Sequence, residues 1–402
     1  MNTISPLSLV YAPRVALFSG NYNYTRDGAN RALNRLVDYL ERQGVAVRVY
    51  SPTGETPAFA HAGDLVSVPS FSIPRRKEYR FATGLPDHVR ADIAAFHPNL
   101  FHLSAPDLLG YKALQLAKSW RVPVVASVHT RFETYLSYYG LGCLEKYATR
   151  YMRYFYNQCD QIYAPTDSMA AVLRAENMCS DIRLWGRGVD SNLFHPSRRD
   201  DAWRAAHGIS QGDVAIAFVG RLVLEKGLDI FADAIDILKA RGISHKVVVI
   251  GDGPERARFA ERLPDAIFTG FLGDEALAKA YASSDIFFNP SKTETFGNVT
   301  LEAMAAGLAP VCARATGSMS LVDHGTSGFL ADGAANEYAD YIAYLITNAD
   351  LRNAFRAAGL AQALRYNWDN ILSGVLANYC EALCEATVRA PSARPDLASA
   401  TT

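Results

Sequence analysis

No run of apolar residues in this chain approaches the ~18 that a membrane-crossing helix needs. Its first residues, MNTISPLSLVYAP, have neither the basic start nor the long apolar core of a secretion leader. A cytoplasmic location is therefore expected. Charge of one sign is missing as well: 40 Lys and Arg stand against 41 Asp and Glu, a net charge of −1. No global field favours nucleic acid, which is not expected as a partner. The six cysteines (Cys143, Cys159, Cys179, Cys312, Cys380, Cys384) form no C-x-x-C pair. They read as buried or incidental thiols of a reducing compartment rather than a disulfide or zinc framework. His-x-x-x-His and Asp-x-Asp spacings are also absent, so no metal is expected.

What is present is ordinary globular composition, 49% hydrophobic and 20% charged, in 402 residues. That length exceeds one ordinary core and predicts two domains. Short β-rich runs alternate with amphipathic segments, the pattern of parallel sheets with crossover helices. The first half offers strands at Arg14–Ser19, Val45–Tyr50, Asn99–Leu103, Val122–Val128 and Gln161–Pro165, with helices at Asn30–Arg42, Asp87–Phe96 and Asp107–Trp120. A second series begins at Val214–Gly220 and continues at Lys246–Gly253, Ala266–Gly270, Asp285–Ser291 and Leu308–Ala313. Between them, Gly186–Gln211 is rich in glycine, proline and charge and reads as a linker. Ligands of open parallel sheets bind beyond the carboxyl ends of the strands, so two such sheets imply a cleft. After Gly333 the chain reads as helical to about Ala386, and the Pro/Ser/Ala-rich end as disordered.

Chemistry concentrates in the second half. In PSKTETFGNVTLEAMAAG, Glu294 and Glu302 lie eight positions apart, around a Phe296-Gly297-Asn298 turn and a helix starting near Val299. Amides at a helix start attract anions, and Gly297 lets a ligand approach them. A carboxylate cannot bind phosphate, but it accepts hydrogen bonds from hydroxyls. The segment suits a phosphate flanked by sugar rings. Glycoside hydrolysis fits it poorly, because that reaction needs two carboxyls flanking one bond. FVGRLVLEKGLD places Gly220, Arg221 and Lys226 at the carboxyl end of a predicted strand. Arg chelates phosphate oxygens and Lys supplies a point charge, so the loop suits a diphosphate; an ordinary surface pair is the competing reading. VIGDGP (Val249–Pro254) reads either as part of a dinucleotide fingerprint lacking its third glycine or as a tight turn with Pro254 at the first helical position.

In the first half, Gly28 precedes a helix and is either a phosphate-facing position or a plain turn glycine. His129 follows the strand Val122–Val128, at the edge where a ligand would lie. PRRKEYR (Pro74–Arg80) reads as a basic loop. Leu144–Gln158 spaces Tyr147, Tyr151 and Tyr154 on one helical face beside Lys146, Arg150 and Arg153. That stripe suits an inner-membrane or glycan surface. The commoner arrangement, expected here, packs the tyrosines on the core and leaves a solvated basic flank.

Together these residues resemble the retaining glycosyltransferases of family 4. The resemblance runs from about Arg14 to Ala386 and is carried by GRLVLEKG, ETFGNVTLEAMAAG and GRGVDSNLFHP. SVHTRFETYLSYYG and the Asp27-Gly28 loop look most like the branch of GDP-mannose-dependent mannosyltransferases and sulfoquinovosyl-diacylglycerol synthase. It implies the α/β GT-B fold: two Rossmann-like, doubly wound parallel-sheet domains facing an interdomain cleft, with C-terminal helices. The expected boundaries are an acceptor-side domain at 1–190, a linker at 191–212, a nucleotide-sugar domain at 213–365, a helix at 366–386 crossing back to the first domain, and a tail at 387–402.

By position, Arg221 and Lys226 would hold the donor diphosphate, with Gly220 beside them. Glu294 would bind hydroxyls of the transferred sugar, next to the backbone of Phe296, Gly297, Asn298 and Val299. Glu302 would bind the ribose, His129 would approach the donor sugar from the other domain, and Gly28 would lie near the phosphate. Many relatives carry two adjacent glycines where this chain has Asp27-Gly28. The implied reaction moves a hexose from a nucleotide-diphosphate sugar, GDP-mannose first and UDP-sugars second, to a glycolipid or polysaccharide intermediate. It forms an α bond without metal or other cofactor. Two readings from other classes are a nucleotide-sugar epimerase, for which no acid/base pair is visible, and a non-catalytic sugar-nucleotide-binding protein.

Overall fold

A computed structural model describes residues 12–24, 28–73, 76–129, 142–179 and 181–389. The chain divides into two compact units. The first is built from residues up to Glu133, Leu144–Gly186 and Asp369 onward; the second is chiefly Arg187–Trp368.

The first unit holds a seven-stranded sheet: β1 (Arg14–Phe18), β2 (Ala46–Ser51), β3 (Asp64–Ser67), β6 (Leu100–Leu103), β7 (Val124–Ser127), β8 (Gln161–Ala164) and β9 (Ile182–Leu184). Their order is β3-β2-β1-β6-β7-β8-β9, and every pairing is parallel. The order reverses between β1 and β6, so the two loops leaving those strands diverge to opposite sides. Between the parallel strands lie helices that start where their side chains cap them. Asp107 accepts from the Gly110 amide at 2.7 Å, and Thr166 accepts from Met169 at 3.1 Å.

The second unit holds β10 (Ala215–Val219), β11 (Lys246–Ile250), β12 (Ile267–Gly270), β13 (Ile286–Asn289), β14 (Ala309–Ala313) and β15 (Phe329–Ala331). The order is β12-β11-β10-β13-β14-β15, again all parallel, with its reversal between β10 and β13. Burial follows the period-2 rule on both faces at once. Ile216 and Phe218 join one hydrophobic cluster while Ala215, Ala217 and Val219 join another. Val247 and Val249 divide from Val248 and Ile250 in the same way. Such a sheet is covered by helices on both sides, which is why its strands read as continuous apolar runs.

Several expectations change. The basic stretch taken as a loop is largely strand: β5 (Arg76–Ala82) pairs antiparallel with β4 (Ser70–Ile73). A two-stranded hairpin tolerates the consecutive charges Arg76, Lys77 and Glu78, which a central strand would not. The expected core face of the helix Glu145–Tyr156 is its outer face. Tyr147, Tyr151 and Tyr154 are 61%, 39% and 53% exposed, whereas Met152, Phe155 and Tyr156 are buried. The edge strands β3, β9 and β15 have three or four residues each and stood below any useful periodicity. The final helix, Trp368–Arg389, extends slightly past the expected end. No described helix is long and apolar enough to cross a membrane.

The glycine- and charge-rich stretch before β10 packs closely. Its helix Asp201–Ala206 presents Arg204, which is 2% exposed. Arg204 donates to the carbonyls of Ser283, Ser210 and Asp213 and to Asp285 Oδ2 at 3.2 Å. Asp285 also accepts the Ala215 amide at 2.9 Å and pairs with Arg199 at 3.1 Å. These contacts lock the entry of β10 to the entry of β13. Arg204→Ala takes one of two guanidinium partners from the buried Asp285 and a donor from three carbonyls, so it should cost about 2–4 kcal/mol. A denaturant series on the purified chain, read by a second-unit tryptophan such as Trp203, checks this.

Candidate functional site

The reversal between β10 and β13 sets two loops side by side at the carboxyl edge of the second sheet. β10 ends at Val219, followed by Gly220 and the exposed Arg221. A short 3-10 turn, Leu224–Lys226, then leads into the helix Leu228–Ala240. β13 ends at Asn289, and its loop reaches the helix Asn298–Ala305 through Gly297. Gly297 has φ 91°, a conformation that side chains with a Cβ resist, and it starts the helix that the sequence placed one residue later.

Across the two loops, Lys226 Nζ donates to Glu294 Oε1 at 2.5 Å. The Lys226 and Glu294 side chains are 27% and 12% exposed. The Thr293 hydroxyl reaches the Glu225 carbonyl at 3.4 Å. A third loop, after β14, supports the second. The Glu294 carbonyl accepts both the Gly317 amide at 2.9 Å and the Thr316 hydroxyl at 3.0 Å. Gly317 lies so close that a Cβ there would stand 2.5 Å from the backbone of Phe296. Glu302, one helical turn inside Asn298–Ala305, lies 3.3 Å from the hydroxyl of the buried Tyr281, which also reaches the Val299 carbonyl at 3.2 Å.

Gly220, Arg221, Lys226, Glu294, Phe296, Gly297, Asn298, Val299 and Glu302 thus all belong to the loops and helix start at one sheet edge. Thr316, Gly317 and Tyr281 escaped the sequence reading, because ARATGSMS and ALAKAYA carry no recognisable pattern. The VIGDGP turn has a structural explanation. Gly220 and Leu222 donate to the carbonyls of Ile250 and Asp252 at 3.0 Å each, so it braces the β10 loop. Its helix starts at Arg256, two residues beyond Pro254. A hydrolase-like spacing, Gly208-Ile209-Ser210-Gln211-Gly212, lies in the turn entering β10, not on a strand-to-helix turn. Among the described residues no three His, Cys, Asp or Glu side chains gather as a metal-ligand set.

In the first unit, Gly28 opens the helix Gly28–Arg42, while Asp27 lies outside the described residues. His129 stands just past the end of β7, as expected, and the rest of TRFETYLSYYG after it also lies outside them. His129 Nε2 is 2.8 Å from Ser127 Oγ, which is 3.0 Å from His102 Nε2; His102 Nδ1 is 2.5 Å from the hydroxyl of Tyr379 on the last helix. Ser127, His102 and Tyr379 are buried, and Trp185 packs edge-on against both histidine rings. Burial pushes the His102 pKa down to about 3 and holds Tyr379 far above the ordinary phenol range.

Residues 199–362 match the family model described as glycosyl transferases group 1, and residues 26–193 match Glycosyltransferase Family 4. Over 384 residues the chain is 32% identical to a GDP-mannose-dependent alpha-mannosyltransferase of Mycolicibacterium smegmatis, covering 94% of this chain and 100% of that protein. The chain belongs to glycosyltransferase family 4. This family 4 enzyme is also 30% identical over 381 residues to the sulfoquinovosyl transferase SQD2 of Arabidopsis thaliana, covering 91% and 73% of the two chains. Sucrose-phosphate synthase from Thermosynechococcus elongatus matches it with a TM-score of 0.78 at 20% identity, over 93% of this chain and all of that one. That likeness is one of fold, and the fold is GT-B.

The buried imidazole makes this glycosyltransferase acid-sensitive. The unfolded ring takes up a proton below its ordinary pKa of 6.5, while the folded ring refuses it down to about 3. Its contribution to stability is therefore whole above 6.5 and falls as pH drops through that window, on the order of 1 kcal/mol per pH unit. His102→Asn should remove that part of the slope in unfolding curves collected across the window.

Proposed function

We propose that this family 4 glycosyltransferase moves a hexose from a nucleoside diphosphate sugar, GDP-mannose first, to a glycolipid or polysaccharide intermediate, with retention as an α-glycosidic bond. The observation that carries this reading is the joining of Lys226 and Glu294 across the strand-order reversal, beside Arg221 and the first turn of Asn298–Ala305. A diphosphate there competes with Glu294 for Lys226, freeing the carboxylate for sugar hydroxyls. Arg221 and the helix-start amides complete the anion site. By the family resemblance Glu302 would take the ribose, His129 would approach the donor sugar, and Gly28 would lie near the phosphate. Names of relatives support the choice of sugar: GDP-mannose-dependent alpha-mannosyltransferases of Corynebacterium glutamicum and Mycolicibacterium smegmatis are each 32% identical.

In the step itself, the C1–oxygen bond to the β-phosphate breaks and the acceptor oxygen bonds C1 on the same face. The acceptor proton passes to the departing phosphate oxygen. Negative charge grows on the diphosphate, where Arg221, Lys226 and the amides stabilise it without a metal. A covalent sugar–enzyme adduct would contradict this route.

A hydrolysis and transfer screen over GDP- and UDP-sugars tests the donor. GDP-mannose should turn over fastest, unchanged by excess EDTA; binding without turnover of any donor would leave only a nucleotide-sugar-binding protein. Arg221→Ala and Lys226→Ala should each lower kcat by roughly 10²–10³-fold, and wild-type turnover in both would remove the phosphate assignment.

The outward tyrosines beside Lys146, Arg150 and Arg153, all exposed, support a peripheral contact with an anionic membrane face, where a glycolipid acceptor would be met. The protein should float with anionic liposomes in low salt and release as salt rises. Replacing Tyr147, Tyr151 and Tyr154 by serine should abolish flotation, and no association of the wild type in low salt would end this part of the reading.

A further inference from the structure

The row Tyr379–His102–Ser127–His129 has a direction. The Tyr379 hydroxyl is wholly buried, and among the described residues its hydrogen-bond partner is His102 Nδ1. A buried O–H without an acceptor is costly, so Tyr379 donates and Nδ1 accepts. His102 is wholly buried, no carboxylate among the described residues bonds either nitrogen, and it stays neutral; burial drives its pKa down to about 3. Its proton therefore sits on Nε2 and is donated to Ser127 Oγ at 3.0 Å. The Ser127 hydroxyl, having accepted that bond, turns its own proton to His129 Nε2 at 2.8 Å. His129 Nε2 then accepts.

We propose that Tyr379, through His102 and Ser127, sets His129 as a neutral imidazole carrying its proton on Nδ1, and so acts as a positioning residue for it. Charging His129 would put a second donor against Ser127. Either the Ser127 proton would then lose its acceptor, or the row would reverse and the Tyr379 O–H would lose its own. The final helix, which supplies Tyr379, thereby governs a ring at the far end of β7. What His129 does for transfer rests on the reading of it as a donor-sugar contact: a neutral Nδ1–H suits a sugar hydroxyl, to which a fixed donor is more useful than a mobile charge. The tautomer assignment does not depend on that reading.

Long-range ¹H–¹⁵N spectra of the histidine-labelled full chain at neutral pH test it, with His129→Gln and His102→Asn assigning the signals. The two rings should show opposite tautomers: His102 with an unprotonated Nδ1, His129 with an unprotonated Nε2. In Tyr379→Phe and in Ser127→Ala the His129 signals should move to the averaged positions of a mixed ring. Tyr379→Phe should also lower kcat roughly tenfold, with the donor KM unchanged. A wild-type His129 protonated on Nε2 overturns the proposal, even if neither variant folds; so do His129 signals unmoved in both variants. Should His129→Gln transfer at the wild-type rate, its place at the donor sugar fails, and the spectra still decide the tautomer.

Discussion

Neighbouring parallel strands must release their chains on the same edge of the sheet, and the second unit depends on that constraint. β10 and β13 are adjacent although 68 residues separate Lys226 from Glu294. Their loops leave together and then turn towards helices on opposite faces, so the space between them stays open to a ligand while its walls are backbone. The pairing is fixed at its other end by Arg204 and Asp285, buried where both strands begin. One ion pair holds the strand entries in register, and a second, half-buried pair spans the strand exits.

The strand exits show how the start of Asn298–Ala305 is held in place. Gly297 turns the chain into Asn298–Ala305, but the preceding loop is held by Thr316 and Gly317 from a third strand's loop. Three loops brace one another, so this helix start stands on a braced edge rather than a free strand-to-helix connection. Rigidity of that kind lets fixed dipoles stabilise developing charge without reorganising. The first unit uses a different device. Its histidine at the strand end is oriented by a buried row of neutral hydrogen bonds, where low polarity makes each donor's direction matter.

Much of this was legible beforehand, because doubly wound sheets have a simple code. Central strands buried on both faces are short apolar runs, and those runs located β1, β2, β6, β7, β8, β10, β13 and β14 within a residue or two, and β11 with its end three residues too late. The residues gathered at the carboxyl edge of the second sheet were legible for a related reason: Glu294, Gly297, Glu302, Arg221 and Lys226 sit in two contiguous phrases with no core role to explain them. The hairpin of β4 and β5 was not legible, since a run of charged residues such as Arg76-Lys77-Glu78 fits a loop equally well. Nor was the outward stripe of Tyr147, Tyr151 and Tyr154. A sequence gives the period of a helix face but not what stands opposite it.

Composition and periodicity settled the fold class and the two-sheet organisation, and motif reading picked out the two phrases proposed here to bear the phosphate and sugar chemistry. These are local properties, carried by neighbours in sequence and by burial. Which strand lies beside which, and hence that Lys226 meets Glu294, is a matter of strand order, which no local pattern encodes. The same holds for Gly317 behind Phe296, and for Tyr379, which reaches His102 from 277 residues away. Those contacts join residues with no shared motif. They exist because folding closes long loops, and each depends on the free energy of the whole unit rather than of its own segment.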